Sequence, residues 1–588
     1  MTVQISQQPS LNTRTVVVTS SKELSNLIWT TADDVLRGLF KPHEYGDVIL
    51  PFVVLRRLDC VLEPKKDQVV KLWEQWKGKV EDPSPIILTE TGLNFFNYSR
   101  YDLRRLSQDH TNLRRNLDRY LESFSPNVME IVVNFQVDKP IDKLTKNNRL
   151  FSFIEKFTEI DLRPQVVDNH TMGQVFEDLL RRFSEMSNET SGEHYTPRDV
   201  VRLLVSLLFS PDKDTLKGTG LVRSVYDPCC GTGGMLTISE EWIHENVNKD
   251  IRLRLLGQEL NPQTYSICRS DFLIMGEDPE NIRQGSSLTE DKFPRDKFDY
   301  MITNPPYGVS WKSEQTEIEE ESKNPNGRFT VGTPSSSDGQ LLFLQHMISK
   351  MDSDRGSRIG IVFNGSPLFS GDSGSGESEI RKWVIENDWL ECIVRLPDQL
   401  FFNTGITTYL WIVSNRKPSH RSGKVQLIDG SKMSVGLKKS LGNKRKEIPE
   451  SMRVRIVDEY LRFVESEISK IYPNEFFGYR KVCIEQPLLE NGVVQKGRDG
   501  SPKPDTSKRD YERIPLLEDV QEYLDREVSP HVKNYWVNDS KSSIGYEINF
   551  TRYFYEYTPP RSTRDILKDI LQLENQSNGL LKKLSESL

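Results

Sequence analysis

Val225-Tyr-Asp-Pro-Cys-Cys-Gly-Thr-Gly-Gly234 decides how this chain folds. A short apolar run, Val222–Tyr226, leads into a glycine-rich turn, and helical periodicity starts near Met235, so the stretch reads as strand, tight turn, helix. Glycines at 231 and 233 let the backbone pass close to a bound molecule, and Gly234 eases close packing there. No Lys-Ser/Thr pair follows, which excludes a P-loop. Further apolar runs lie at Leu255–Glu259, Phe298–Ile302, Arg358–Phe363, Leu390–Leu396 and Thr407–Val413, separated by helical stretches. That alternation predicts an α/β domain over residues 165–416 with a parallel, doubly wound, Rossmann-like sheet. Two polar segments interrupt it, Lys312–Gly339 and Gly365–Glu379, and both read as long mobile loops.

The flanks differ. Residues 1–20 are polar and read as a poorly ordered tail. Residues 21–160 read as an all-helical N-terminal domain: Leu24, Leu27, Ile28, Val35, Leu36 and Leu39 recur at helical spacing, and Pro42 and Gly46 break that helix. A second helix then carries Ile49, Phe52, Leu55 and Leu58. Residues 417–588 form a C-terminal region with an exposed Gly-, Lys- and Pro-rich insertion, Glu490–Arg509, and end in a helical extension. Ser562 and Asp565 resemble a capping box for that helix, and Ile566, Ile570, Leu573, Leu580 and Leu584 form its apolar stripe. The stripe packs either on its own domain or, the sharper expectation, on helices of a partner.

Composition narrows the function. The 588 residues carry 78 Lys plus Arg against 86 Asp plus Glu, a net charge of −8. Tight, non-specific DNA binding rests on phosphate neutralisation, so any DNA substrate would be gripped by a basic partner or a local basic groove. The six cysteines form no CxxC pair, which points to neither a zinc cage nor a disulfide framework and suits a reducing cytoplasm. Neither a signal peptide nor a membrane-spanning run is legible.

The chemistry is concentrated in Phe298-Asp-Tyr-Met-Ile-Thr-Asn-Pro-Pro-Tyr-Gly308. An apolar strand runs straight into Asn304-Pro305-Pro306-Tyr307. An exocyclic amine is a poor nucleophile, because its lone pair is delocalised into the ring. The Asn304 side-chain oxygen and the Pro305 carbonyl can accept its two N–H groups, pull the nitrogen toward tetrahedral geometry and aim the lone pair. The two prolines fix the backbone, and Tyr307 offers a ring face for a flipped base. An ordinary Asn-Pro turn is the bland alternative. Glu259, at the end of the second strand, is placed for the two hydroxyls of an adenosine ribose. Upstream, Gly192-Glu-His-Tyr-Thr-Pro-Arg198 precedes an apolar helix that Thr196 could start, leaving N–H groups for a carboxylate. His194 shows no metal partners, and no metal site is expected.

Residues 165–415 resemble amino-methyltransferases of the gamma order, with the Thr-Pro element ahead of the glycine loop. More closely, the chain resembles the modification subunits of type I restriction–modification enzymes. The likeness extends to Leu396-Pro-Asp-Gln-Leu-Phe-Phe-Asn-Thr-Gly-Ile-Thr-Thr408, Ile428-Asp-Gly-Ser-Lys432, Phe477-Gly-Tyr-Arg-Lys481, Ile548-Asn-Phe-Thr-Arg-Tyr553 and the helical Phe52-Val-Val-Leu-Arg-Arg57. The resemblance implies a site-specific DNA adenine N6-methyltransferase using S-adenosyl-L-methionine. It places Asp227, Gly231, Thr232 and Gly233 along the donor, Glu259 on its ribose, Thr196 and Pro197 near its carboxylate and Ser286 near its adenine, where the family usually has Asp or Asn. It gives Asn304, Pro305, Pro306 and Tyr307 the target base, with Phe369 a second stacking face. It implies double-stranded DNA, a specificity subunit, a restriction subunit and two copies of this chain as partners, in the cytoplasm with no membrane. The same turn also serves cytosine N4, protein glutamine and RNA bases, and a non-catalytic scaffold of the same fold is the remaining rival.

Overall fold

The computed structural model describes residues 20–187, 196–402, 404–490, 493–497, 500–555 and 562–587. The tail expectation therefore lies outside the described residues, except that Ser20 caps the first helix through a bond from Glu23 N. His194 lies outside them too.

From Ser21 to Thr158 the regular elements are helices. Gly46, expected as a breaker, lies inside the second helix, Tyr45–Leu62, where an added Cβ would sit only 3.3 Å from the Phe183 ring. The short 3-10 turn Pro42–Glu44 makes the break instead. The helical core continues past residue 160. Met172, Val175, Phe176 and Leu179 of the helix Asn169–Ser187 are buried in it, as are Ile267 and Leu273 of the helix Pro262–Met275. Between the two regions the chain is stitched down by arginines. Arg56 Nε donates to the Ile160 carbonyl at 2.8 Å, and Arg57 donates to the carbonyls of Leu162 and Val167 and to the Asn169 side chain. Both guanidinium groups are buried, which is tolerable only because so many N–H groups find acceptors.

The strands are β1 (Val222–Asp227), β2 (Arg252–Glu259), β3 (Ile282–Gln284), β4 (Tyr300–Thr303), β5 (Arg358–Phe363), β6 (Leu390–Arg395), β7 (Tyr409–Ser414), β8 (Lys424–Asp429), β9 (Val435–Leu441), β10 (Lys444–Glu447), β11 (Ser469–Pro473) and β12 (Gly478–Glu485). Nine of them build one sheet in the order β11-β8-β6-β7-β5-β4-β1-β2-β3. It is mixed rather than wholly parallel, because β7 runs antiparallel to both β5 and β6, and β11 to β8. For β7 the cause is the connection from Leu396 to Thr408, which holds no crossover helix among its described residues and returns the chain as a hairpin. β12 forms a second, antiparallel sheet with Asp510–Pro515, Trp536–Val537 and Ser543–Tyr546, within the C-terminal region.

Lys312–Gly339 is not a loose loop. Trp311, Ile318 and Phe329 bury against Leu288, Leu342 and Phe343, and residues Gln315–Lys323 are helical. Arg328 locks the segment by donating to the carbonyls of Ser287 and Leu288 and pairing with Glu321. Gly365–Glu379 likewise contains the short helix Ser366–Phe369 and opens the helix Gly376–Glu386.

Residues Asn549–Leu588 form a separate compact unit. Its helix Thr563–Ser587 starts at the expected cap, with Asp565 N donating to Ser562 Oγ at 3.1 Å. Ile566, Ile570 and Leu573 of its apolar stripe are exposed.

Candidate active site

The chain reverses its winding at β1, which has β2 on one side and β4 on the other. A crevice opens at the carboxyl ends of strands at such a switch point, and that is where open α/β sheets bind ligands. Both sequence motifs meet there. Asp227 ends β1 and Thr303 ends β4, and Thr303 Oγ1 donates to Asp227 Oδ1 at 2.7 Å while Cys229 N donates to the same oxygen at 2.9 Å. Asp227 is 1% exposed, and burial, reinforced by the Glu259 charge, pushes its carboxyl up to about 7. It braces the turn from beneath, tying the glycine loop to the strand that presents Asn304.

The glycine loop forms the crevice wall. Gly231 has φ +54° and nothing within 4 Å of where a side chain would project, so a bound molecule can lie directly on this backbone. Gly233 has φ +84° and serves packing, since an added Cβ would sit 2.8 Å from Cys268 Sγ. Thr232, between them, is half-buried. Glu259 closes the wall from the end of β2: Gly231 N donates to its Oε2 and Asn261 N to its Oε1, both at 2.8 Å. The two bonds fix the orientation of its carboxylate at the end of β2. The helix behind Thr196 starts at Arg198, with Pro197 at its cap and no capping side chain. Thr196 thus precedes the helix rather than starting it.

At the end of β3 the Ser286 hydroxyl donates to Glu314 Oε1, and Thr289 Oγ1 donates to the same oxygen at 3.2 Å. Glu314 belongs to the 3-10 turn Lys312–Glu314, at the start of the segment that Arg328 clamps. The short hydroxyl at 286 is therefore extended by a carboxylate from another part of the chain.

On the acceptor side the Asn304 turn leaves β4 with Pro305 buried and Asn304 half-buried. Tyr307 is 7% exposed; its hydroxyl donates to Asn304 Oδ1 and its ring meets Phe401 edge-on at 6.2 Å. Phe369 follows β5, the parallel neighbour of β4, and its ring is 55% exposed.

Residues 167–476 match the family model for N-6 DNA methylase, more than half of the chain, and residues 24–157 match the HsdM N-terminal domain. The chain belongs to the N-6 DNA methylase family. Among relatives of this methylase, the type I restriction enzyme MjaIX methylase subunit of Methanocaldococcus jannaschii is 26% identical over 86% of this chain and 90% of its own length. The HindI methylase subunit of Haemophilus influenzae is 31% identical over 44% of this chain and 54% of its own length. The fold is that of the type I restriction–modification methyltransferase subunit of Streptococcus thermophilus, with a TM-score of 0.62 at 21% identity over 78% of this chain and 97% of that one. The modification subunit of a type I restriction enzyme from Vibrio vulnificus gives 0.53 at 17% identity over 88% and 99%.

In this methylase the structure gathers Asp227, Gly231, Thr232, Gly233 and Glu259 at one crevice with Asn304–Tyr307. Sequence reading missed Thr303, Glu314 and Arg328. Thr303 was within the quoted motif, one residue before Asn304. Glu314 and Arg328 sit in a polar background with no periodicity, so nothing local marked them.

Proposed function

We propose that this methylase transfers a methyl group from S-adenosylmethionine to the N6 amine of a flipped adenine in DNA, as the modification subunit of a type I restriction–modification complex. The observation that carries the reading is the Thr303–Asp227 bond, which places the amine-binding turn and the glycine loop side by side at one switch point. Bound over Gly231 with its ribose on Glu259, S-adenosylmethionine supplies a methyl group on an already electrophilic sulfonium. The crevice fits such a group: open space over Gly231, the Glu259 carboxylate held in place by two backbone N–H groups, and Glu314 at the adenine end beside Ser286.

The chain's own work is positioning. An incoming adenine exchanges one of its N–H groups for the Tyr307 hydroxyl on Asn304 Oδ1 and gives the other to the Pro305 carbonyl. With both protons held, the lone pair points across the crevice; the N–C bond forms as the methyl's bond to sulfur breaks, its electron pair staying on the departing thioether, and one N–H proton is lost to solvent. Phe369 stacks on the base that Tyr307 flanks. By analogy with the methylase subunits it is similar to, the chain works with a specificity subunit that reads sequence and a restriction subunit, two copies of it in the complex.

The test uses the chain isolated with its partners from its host, isotope-labelled S-adenosylmethionine and unmethylated DNA, followed by nucleoside digestion. Labelled N6-methyladenine that disappears in Asn304→Ala is expected. Label in N4-methylcytosine, in RNA or in protein, or none at all, sinks the reading.

A further inference from the structure

A strongly basic exposed element of this acidic chain stands against the crevice. Lys438-Lys-Ser-Leu-Gly-Asn-Lys-Arg-Lys446, spanning the β9–β10 hairpin, holds five cations and no acid. Two of the five are structural. Lys444 is 6% exposed and its Nζ bonds both oxygens of Asp199 at 3.0 and 3.1 Å. Lys446 pairs with Asp398. The remaining three, Lys438, Lys439 and Arg445, are exposed, and none is ion-paired among the described residues.

The hairpin is fixed to both walls of the site. Asp199, which also accepts from Ile448 N at 2.8 Å, lies in the first turn of the helix that follows Thr196 and Pro197. On the other side Asn443 N donates to the Phe402 carbonyl at 2.7 Å and Arg445 N to the Gln399 carbonyl at 2.9 Å. Phe401, the residue before Phe402, is the one whose ring meets Tyr307. The hairpin turn is thus one loop away from the base-binding turn. A solvated charged face needs no such bracing. Three unpaired cations on a braced arm beside a nucleotide pocket are suited to a polyanion.

We propose that the β9–β10 hairpin is a phosphate-gripping arm, which holds the DNA backbone flanking the flipped base through Lys438, Lys439 and Arg445. This rests on DNA being the substrate. Swinging a nucleotide out of the duplex rotates it about its own backbone, so the neighbouring phosphates need an anchor near the pocket. The arm supplies a local positive field in a molecule whose net charge of −8 would otherwise repel DNA.

The test compares the wild-type complex with its specificity subunit against the triple variant Lys438→Gln, Lys439→Gln, Arg445→Gln, and a charge-preserving variant, Lys438→Arg, Lys439→Arg, Arg445→Lys. Affinity for a mixed-sequence DNA duplex is followed over a range of salt concentrations, and S-adenosylhomocysteine binding reports folding. Each lost phosphate contact lowers the slope of log affinity against log salt by about 0.9, so the glutamine variant should lose roughly 2 to 3 units of slope and bind about tenfold or more weakly at low salt. The charge-preserving variant should keep both. An unchanged slope in a glutamine variant that still binds S-adenosylhomocysteine overturns the inference alone. A variant that fails to assemble with the specificity subunit, while the assembled fraction binds DNA normally, also overturns it and makes the hairpin a protein-docking face. A wild-type complex with no DNA affinity overturns the DNA-methylating reading, and the arm with it.

Discussion

The two halves of the crevice are built on different plans. On the donor side the two carboxylates next to the glycine loop take backbone bonds: Gly231 N and Asn261 N on Glu259, and Cys229 N, beside the Thr303 hydroxyl, on Asp227. Such N–H groups cannot rotate away, so the carboxylates they hold are set in place before a ligand arrives. On the acceptor side a side chain bonds a side chain, Tyr307 hydroxyl on Asn304 oxygen, at the atom proposed here to hold the substrate amine. Binding there is an exchange of one hydrogen bond for another. Under the proposed function, the contrast means that the site is preorganised for its donor and makes the acceptor compete for its place, so an amine with two N–H groups gains what a group with one cannot.

The strongest attack on that contrast is Asn304→Ala. It should lower turnover by about 100-fold or more, the effect of one lost positioned hydrogen-bonding group in other enzymes. Calorimetry should meanwhile show S-adenosylhomocysteine affinity unchanged; a parallel loss of donor affinity would show that the halves are not independent. Glu259→Ala should do the reverse, weakening S-adenosylhomocysteine binding by about 10- to 100-fold, the range for hydrogen bonds to a charged group. An affinity equal to wild type would remove Glu259 from the ribose.

Tyr307→Phe sharpens the exchange argument. Without the competing hydroxyl, KM for DNA should fall by a few-fold, in line with a net hydrogen bond of about 0.5–1.5 kcal/mol. A raised KM would make the hydroxyl a substrate contact. The smallest effect concerns pH. Folding raises the Asp227 carboxyl from its ordinary value to about 7, so the folded state favours the protonated form. The stability this gives is present in acid and is lost as pH rises toward 7. Asp227→Asn, permanently neutral, escapes that loss. Melting temperatures of the two proteins should therefore diverge by a few degrees between about pH 5 and 7, in favour of the variant, and run parallel above. Parallel curves throughout would mean that Asp227 stays ionised.

Much of the site was legible because its chemistry demands contiguous residues. A strand that stops at Asn-Pro-Pro-Tyr and a strand that stops at a glycine turn declare themselves, and β5 ran from Arg358 to Phe363 as its apolar run implied. Reversal of β7 was not legible, since a fully buried strand has the same pattern in either direction. Nor was the order in Lys312–Gly339, where Trp311, Ile318 and Phe329 are spaced without a period and a clamp from Arg328 replaces a continuous apolar face. Glu314 reached Ser286 only through that folding.

The arginine stitches between Arg56, Arg57 and residues 160–169 have a practical consequence for anyone cutting the gene. The two family matches leave a gap between residues 157 and 167, which looks like a seam for an expression boundary. It is among the worst places to divide the protein. A fragment begun there would strip the apolar face of the helix Asn169–Ser187 of its cover, and the upstream fragment would keep two buried guanidinium groups with their acceptors gone. Both pieces should aggregate. A fragment carrying residues 167–476 should therefore also keep the helices they pack on, from Ser21 onward.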